Sequence, residues 1–158
     1  MRRRRITTLE IEPDAWLELT AVADAAAPLE TGGILLGYRT RHAVVVAGVA
    51  EVADYTATTT SYTMRTAQAQ AVLDDVRQFF PVGSAVGYIG DWHSHPANSP
   101  PSTTDRRSHA TLNRHYRKAM AGLVAVHTCD GWVPHAHLAN RWRLARCTVE
   151  IKRQDTGP

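Results

Sequence analysis

The chain has 158 residues, 44% of them hydrophobic and 21% charged, with a formal net charge of +3 and a pI near 9.1. That length suits one domain over 1–158, able to bury a core without disulfide or metal staples, and the composition excludes a mainly disordered chain. No apolar run approaches the roughly 18 residues a spanning helix needs, and the basic start Met1–Arg5 lacks the apolar stretch that would complete a signal peptide. A cytoplasmic protein with no membrane partner is therefore expected.

Much of the positive excess sits in Arg2–Arg5, and tails at 1–5 and 152–158 are expected to be mobile. No zinc-finger or helix-turn-helix pattern points to nucleic acid. Cys129 and Cys147 match no paired redox or metal spacing and read as small buried or half-buried residues.

In chain order, Leu9 and Ile11 alternate with acids as in a short strand. Pro13-Asp14 opens a helix to about Ala26, with Trp16, Leu17 and Leu19 as apolar contacts, and Pro28 closes it. The glycine-bounded apolar run Gly32–Gly37 reads as a strand buried on both faces, with valine-rich 42–52 as its hairpin partner. Thr56–Thr60 is a loop. Thr66 to Phe80 carries Ala69, Val72, Val76 and Phe79/Phe80 at helical spacing, and Pro81 and Gly83 end it. Ala85 to His95 is a strand, Pro96–Pro101 a loop that cannot join a ladder, Ser102 to Met120 a helix and Gly122 to Thr128 a strand. Asp130-Gly131 is a hairpin signal, and Trp132–Leu138 and Trp142–Ile151 are the last strands. This order predicts a mixed α/β (α+β) fold, a central sheet flanked by helices.

The chemistry centres on Asp91-Trp92-His93-Ser94-His95-Pro96 and Ser102-Thr103-Thr104-Asp105. On a strand of period two, His93 and His95 face the same way, and Pro96 ends the strand just beyond them. Ser102-x-x-Asp105 also has the form of a capping box. At ~3.6 residues per turn, Asp105 would share an apolar face with His109, Leu112, Tyr116 and Met120. A carboxylate aimed inward needs a strong partner, and a metal held by His93 and His95 would supply it. Two histidines and a carboxylate leave a fourth position open, as in catalytic zinc sites. Glu30, just before the buried strand, is the candidate base. The bland alternative is an exposed loop acid.

These residues resemble the JAMM metalloprotease family, also called MPN+ or JAB: a glutamate before a glycine-bounded strand (Glu30 to Gly37), His-x-His-Pro (His93 to Pro96) and Ser-x-x-Asp (Ser102 to Asp105). The resemblance covers roughly Leu9 to Val149. It implies a JAMM/MPN-type domain of cytidine-deaminase-like architecture, with zinc bound by His93, His95 and Asp105. It also implies Glu30 as general base and proton donor, with Ser102 stabilising the oxyanion. The implied activity is peptide or isopeptide hydrolysis at the C-terminus of a ubiquitin-like or sulfur-carrier protein, by a compact prokaryotic member, some of which work beside conjugation enzymes. The chain departs from the pattern in one place: six residues, Pro96 to Pro101, separate His95 from Ser102 where seven are usual. Ser99 is a weaker candidate for the same role.

Two other readings remain open. A catalytically silent scaffold of the same type would usually lack the ligands this chain keeps. An iron oxygenase also uses two histidines and a carboxylate, but it has no need of Glu30 or the serine. The second His-x-His, His135-Ala136-His137, is followed by no Ser-x-x-Asp and reads as surface or packing. His109, one turn past Asp105, reads as a core histidine or a support for the metal site. Arg106, Arg107, Arg114, Arg117 and Lys118 make this helix basic, which is usually the mark of a solvated face; because the helix starts at the metal site, it could also meet an acidic partner.

Overall fold

The structure, a computed structural model, describes residues 5–154. Residues 1–4 and 155–158 lie outside the described residues, and with them most of both expected tails. Lys152 is anchored: its backbone N–H donates to Ile11 and its ammonium sits 3.0 Å from Glu12 and 3.2 Å from Glu10.

The elements are β1 (Thr8–Ile11), α1 (Pro13–Ala26), β2 (Gly32–Arg39), β3 (Ala43–Glu51), α2 (Thr66–Arg77), β4 (Gly87–His95), α3 (Thr103–Asn113), β5 (Met120–Thr128), β6 (Gly131–Asn140), β7 (Arg143–Arg146) and β8 (Thr148–Ile151). The strands form one mixed sheet in the order β7-β6-β5-β4-β2-β3-β1-β8. β4–β5, β1–β3 and β1–β8 are parallel and the other pairs antiparallel. The expected central sheet flanked by helices is present.

Helix α1 packs on one face. Pro13 presets its first turn, and Ala15, Leu19 and Ala23 point inward. They meet Leu9, Ile11, Leu35, Val44, Val46, Ile89, Trp92, Leu123 and Leu138 in the larger core. Each fully buried large side chain there contributes roughly 1.5–3 kcal/mol. Leu17, expected as a contact, is exposed on the far side of α1. Helix α2 covers part of the opposite face, where Leu73 joins Ile34, Leu36 and Val52. Phe80 packs against this second core, but Phe79 is exposed, because α2 stops at Arg77 and its period does not reach Phe79.

Two further elements depart from expectation. Helix α3 ends at Asn113, so Arg114, Tyr116, Arg117, Lys118 and Met120 are not part of it. A continuing helix would use the Tyr116 carbonyl for the Met120 N–H. Instead that carbonyl accepts from Arg141 N–H at 2.8 Å, while Met120 pairs with Ala139 at the start of β5. The inward residues of α3 are His109 and Asn113, and Leu112 is exposed. The buried face is polar rather than apolar. The expected strand 142–151 is two strands broken at Cys147, and they pair with opposite ends of the sheet: β7 with β6, and β8 with β1. Cys147 is half-buried and Cys129 is exposed, on the β5–β6 turn, where no core reaches it.

Candidate active site

Strand β4 carries the centre of the site. Gly90 sits at φ 151° where the β2–β4 register shifts, and a Cβ there would lie 1.8 Å from the Ala121 carbonyl oxygen. Only glycine fits such a bulge. The shift puts Ile89 and Trp92 into the α1 core and sends Asp91, His93 and His95 to the other face. That face forms the floor of a groove of about 890 Å³ between α3 and loop 59–64.

The structure brings the three expected metal-site residues together. The potential ligand atoms of His93, His95 and Asp105 all lie within 4.8 Å of one another. The two histidine Nε2 atoms are 3.1 Å apart. Asp105 places Oδ1 3.4 Å from His93 Nε2 and Oδ2 3.6 Å from His95 Nε2. The His95 Nδ1–H donates to the Ser99 carbonyl at 2.7 Å, which leaves a lone pair on Nε2. Electron-pair donors converging on one point suit a cation. Tetrahedral zinc with Zn–N of about 2.0–2.1 Å spaces two ligand nitrogens by about 3.3 Å, close to the spacing here. Ser99, weighed as a substitute for Ser102, contributes its carbonyl to His95.

Asp105 arrives from the first turn of α3. The capping box is real: Ser102 Oγ accepts the Asp105 N–H at 3.0 Å, and the Ser102 N–H donates to Asp105 Oδ2 at 2.6 Å. Cap and metal-site member are therefore the same residue. Burial alone would raise the Asp105 pKa, but His93 and both Ser102 contacts outweigh it and hold the carboxyl well below the usual range. It is an anion at neutral pH. Ser102 also lines the groove.

Glu30 is buried, not the exposed loop acid of the bland reading, and its Oε1 lies 3.8 Å from His95 Nε2. A two-way latch sets its position. The Thr31 N–H donates to Ser94 Oγ at 3.0 Å, and the Ser94 N–H donates to the Thr31 carbonyl at 2.8 Å. The Glu30 N–H is taken by the Thr58 carbonyl. Burial raises the Glu30 pKa, the nearby histidines lower it by less, and Asp105 adds to the rise.

The sequence did not announce several neighbours. Tyr88 donates to Asp91 Oδ1 at 2.5 Å, and Oδ2 of Asp91 is buried without a partner. Burial pushes Asp91 up to about 6, with Tyr88 and His93 opposing. Tyr62 lines the groove and donates to the Val52 carbonyl. Only the bulge makes Tyr88 and Asp91 neighbours, and no sequence signal marks it beyond Gly90.

The seat of α3 is equally hidden in the sequence. Gly122 stands between Asp91 and His137 in one row across β4, β5 and β6. A Cβ on Gly122 would lie 2.6 Å from the His109 ring. The ring therefore occupies the space a side chain would fill. Asn113, fully buried, donates to both His109 Nδ1 (2.8 Å) and the His109 carbonyl (2.9 Å). Burial pushes His109 down to about 4; the Met120 carbonyl opposes this, and His137 and His93 add to it. The ring is neutral at pH 7. His109 is thus a core histidine outside the three-residue cluster. His137 stands beside it, and His135 lies two residues earlier on β6; both are half-buried and outside the cluster.

Gly122→Ala is expected to lift α3 and draw Asp105 away from the histidines. Overpacking of this kind costs about 1–3 kcal/mol of stability. Metal affinity should fall roughly 10–100-fold, the usual effect of disturbing the support of a metal site. Competition with a chromogenic chelator measures the affinity and a melting curve the stability. Lowered stability with undiminished affinity would show that this contact does not position Asp105.

A mixed sheet that aims two histidines and an aspartate at one point, beside a buried glutamate, has the arrangement of a metal-dependent hydrolase. Residues 12–145 match the family described as prokaryotic homologs of the JAB domain, and the chain belongs to that family. It is 32% identical over 124 residues to a protein of Sinorhizobium fredii (strain NBRC 101917 / NGR234) named "Probable metalloprotease y4qB", covering 74% of each chain. Its fold is similar to the solution structure of protein DSY2949 from Desulfitobacterium hafniense, with a TM-score of 0.69 at 18% identity, over 92% of this chain and 94% of that one. No helix among the described residues is long and apolar enough to cross a membrane.

Proposed function

We propose that this protein is a zinc-dependent peptidase or isopeptidase that cuts at the C-terminus of a ubiquitin-like or sulfur-carrier protein. The observation that carries the reading is the meeting of His93, His95, Asp105 and the buried Glu30 in one groove. Family membership and the relative named as a metalloprotease support a metal-dependent hydrolase of the JAMM type. The ubiquitin-like substrate, the choice of zinc and any work beside conjugation enzymes are the finer parts of the proposal.

His93, His95 and Asp105 would hold the ion. Bound there, zinc supplies Lewis acidity and lowers the pKa of water toward about 7. The remaining work belongs to the chain. Glu30, its proton affinity raised by burial, accepts a proton from the attacking water and returns it to the leaving amine. Ser102 donates its hydroxyl proton to the carbonyl oxygen as negative charge develops there. The latch between Thr31 and Ser94 holds Glu30 in reach of both events.

The test uses protein purified without added metal and a linear fusion to the C-terminus of a ubiquitin-like protein. Zinc near one per chain, cleavage at the junction, loss with chelator and recovery with zinc are expected. Iron in place of zinc, or cleavage indifferent to chelator, would overturn the reading.

A further inference from the structure

The wall of the groove formed by α3 continues into a cationic strip. Arg106 and Arg107 stand at the rim. Arg114, Arg117 and Lys118 follow, all exposed, where the chain leaves the helix. Arg141, Arg143 and Arg146 are exposed on and before β7, which α3 packs against. The link is direct, because the Arg141 N–H donates to the Tyr116 carbonyl.

Between Thr103 and Arg146 the acids are Asp105 and Asp130 alone. Asp105 is turned into the metal site, and Asp130 is at the β5–β6 turn, the opposite end of β6 from β7. Among the described residues, none of these eight cations forms an ion pair; the arginine and lysine pairs are those of Arg77 and Lys152. Arg106 is held to the Pro101 carbonyl and the Thr103 hydroxyl, which leaves its charge uncompensated. Exposed apolar side chains lie among the charges: Leu112 (46%), Tyr116 (41%) and Trp142 (65%), the last with Arg141 4.4 Å above its ring. Arginine with aromatic side chains is the composition of a protein-binding surface. The opposite wall, 59–64, is uncharged and rich in threonine and serine.

We propose that the strip running from Arg106 to β7 is the docking surface for an acidic face of the protein substrate. This rests on the reading of the groove as the place where that substrate's tail is cut. A tail in the groove leaves the globular body of the substrate on one wall; the 59–64 wall is followed by the single cation Arg65, against eight unpaired cations on the α3 side. Helix α3 at ~1.5 Å per residue carries the strip about 16 Å from the metal site, within reach of a small folded body. Complementary charge there speeds encounter and fixes orientation.

Two measurements test it, on wild type and on Arg114→Glu/Arg117→Glu/Arg143→Glu, three exposed positions outside the catalytic machinery. The first is cleavage of a fusion of an acidic ubiquitin-like protein, against a short peptide carrying only its C-terminal tail. For the fusion, KM should rise about tenfold in the variant with kcat unchanged, and the peptide should be cut equally by both. The second is fluorescence anisotropy with a labelled Glu/Asp-rich peptide containing leucine and tyrosine, at low and high salt, using a 20-base-pair duplex as the comparison. The acidic peptide should bind wild type at least about tenfold tighter than the variant, and more weakly at high salt. That second measurement stands even if no cleavage is found, so failure of the hydrolase reading is seen separately. Equal peptide binding by wild type and variant, an unchanged KM for the fusion, or stronger binding of the duplex than of the peptide would overturn the proposal.

Discussion

His93→Ala is expected to yield a folded protein that retains no zinc and cuts no substrate. The imidazole is half-buried at the groove floor, outside both apolar cores, so its loss opens no cavity in them. What disappears is one of three ligand atoms around a single point. A metal that binds only the folded state adds about 4 kcal/mol at a thousandfold excess over Kd. For a chain of this size that is about 10 °C in Tm. Wild type should show this rise when zinc is added, and His93→Ala should not. His135→Ala is the matched control: it belongs to the other His-x-His pair, on β6, and should keep both zinc and the rise. Elemental analysis and melting curves with and without zinc make the comparison. The reverse pattern would move the metal site to β6.

Glu30→Gln should be the second severe lesion, with a different signature. The amide keeps the size and hydrogen-bonding shape of the side chain but cannot take a proton. Zinc content and Tm should stay near wild type, because Glu30 is outside the three-residue cluster and its backbone is held through Thr58 and the Thr31–Ser94 latch. Turnover should fall about 100-fold or more, the usual contribution of general acid–base catalysis. Substrate binding should survive, so the variant can hold its partner in a pull-down. Lost zinc would make Glu30 a ligand, and retained turnover would leave the proposed mechanism without its base.

His93, His95 and Asp105 were legible as a group because strand alternation and helix-start spacing are local rules. Glu30 was legible as a candidate because an acid beside a buried strand is costly without a role. The apolar face expected beside Asp105 is not there. Its helix is shorter than the periodicity implied, and the inward face is His109 and Asn113 rather than a run of apolar residues. The Tyr116 carbonyl is claimed from 25 residues away by Arg141, and no local pattern shows that. The break at Cys147 is similar in kind. One short stretch supplies two strands whose partners lie far apart in the sheet, and only the strand order reveals it. Tyr88 and Asp91 were missed because a bulge resets the alternation between them.

The seat of His109 over Gly122 bears on the six-residue connection between His95 and Ser102. Helix α3 is fastened to the sheet a full turn beyond Asp105, so the connection is not what sets the ligand's distance from the histidines. Its own ties are few: the Ser99 carbonyl to His95 and the Pro101 carbonyl to Arg106. Ala97 to Ser99 are exposed, and closing a loop one residue longer or shorter changes its entropy only slightly. With six residues in the connection, the distance of Asp105 from the histidines is left to the seat on Gly122, while the Ser99 carbonyl still reaches His95. The expected keeper of the Asp105 register is thus a glycine on a different strand, beneath the His109 ring.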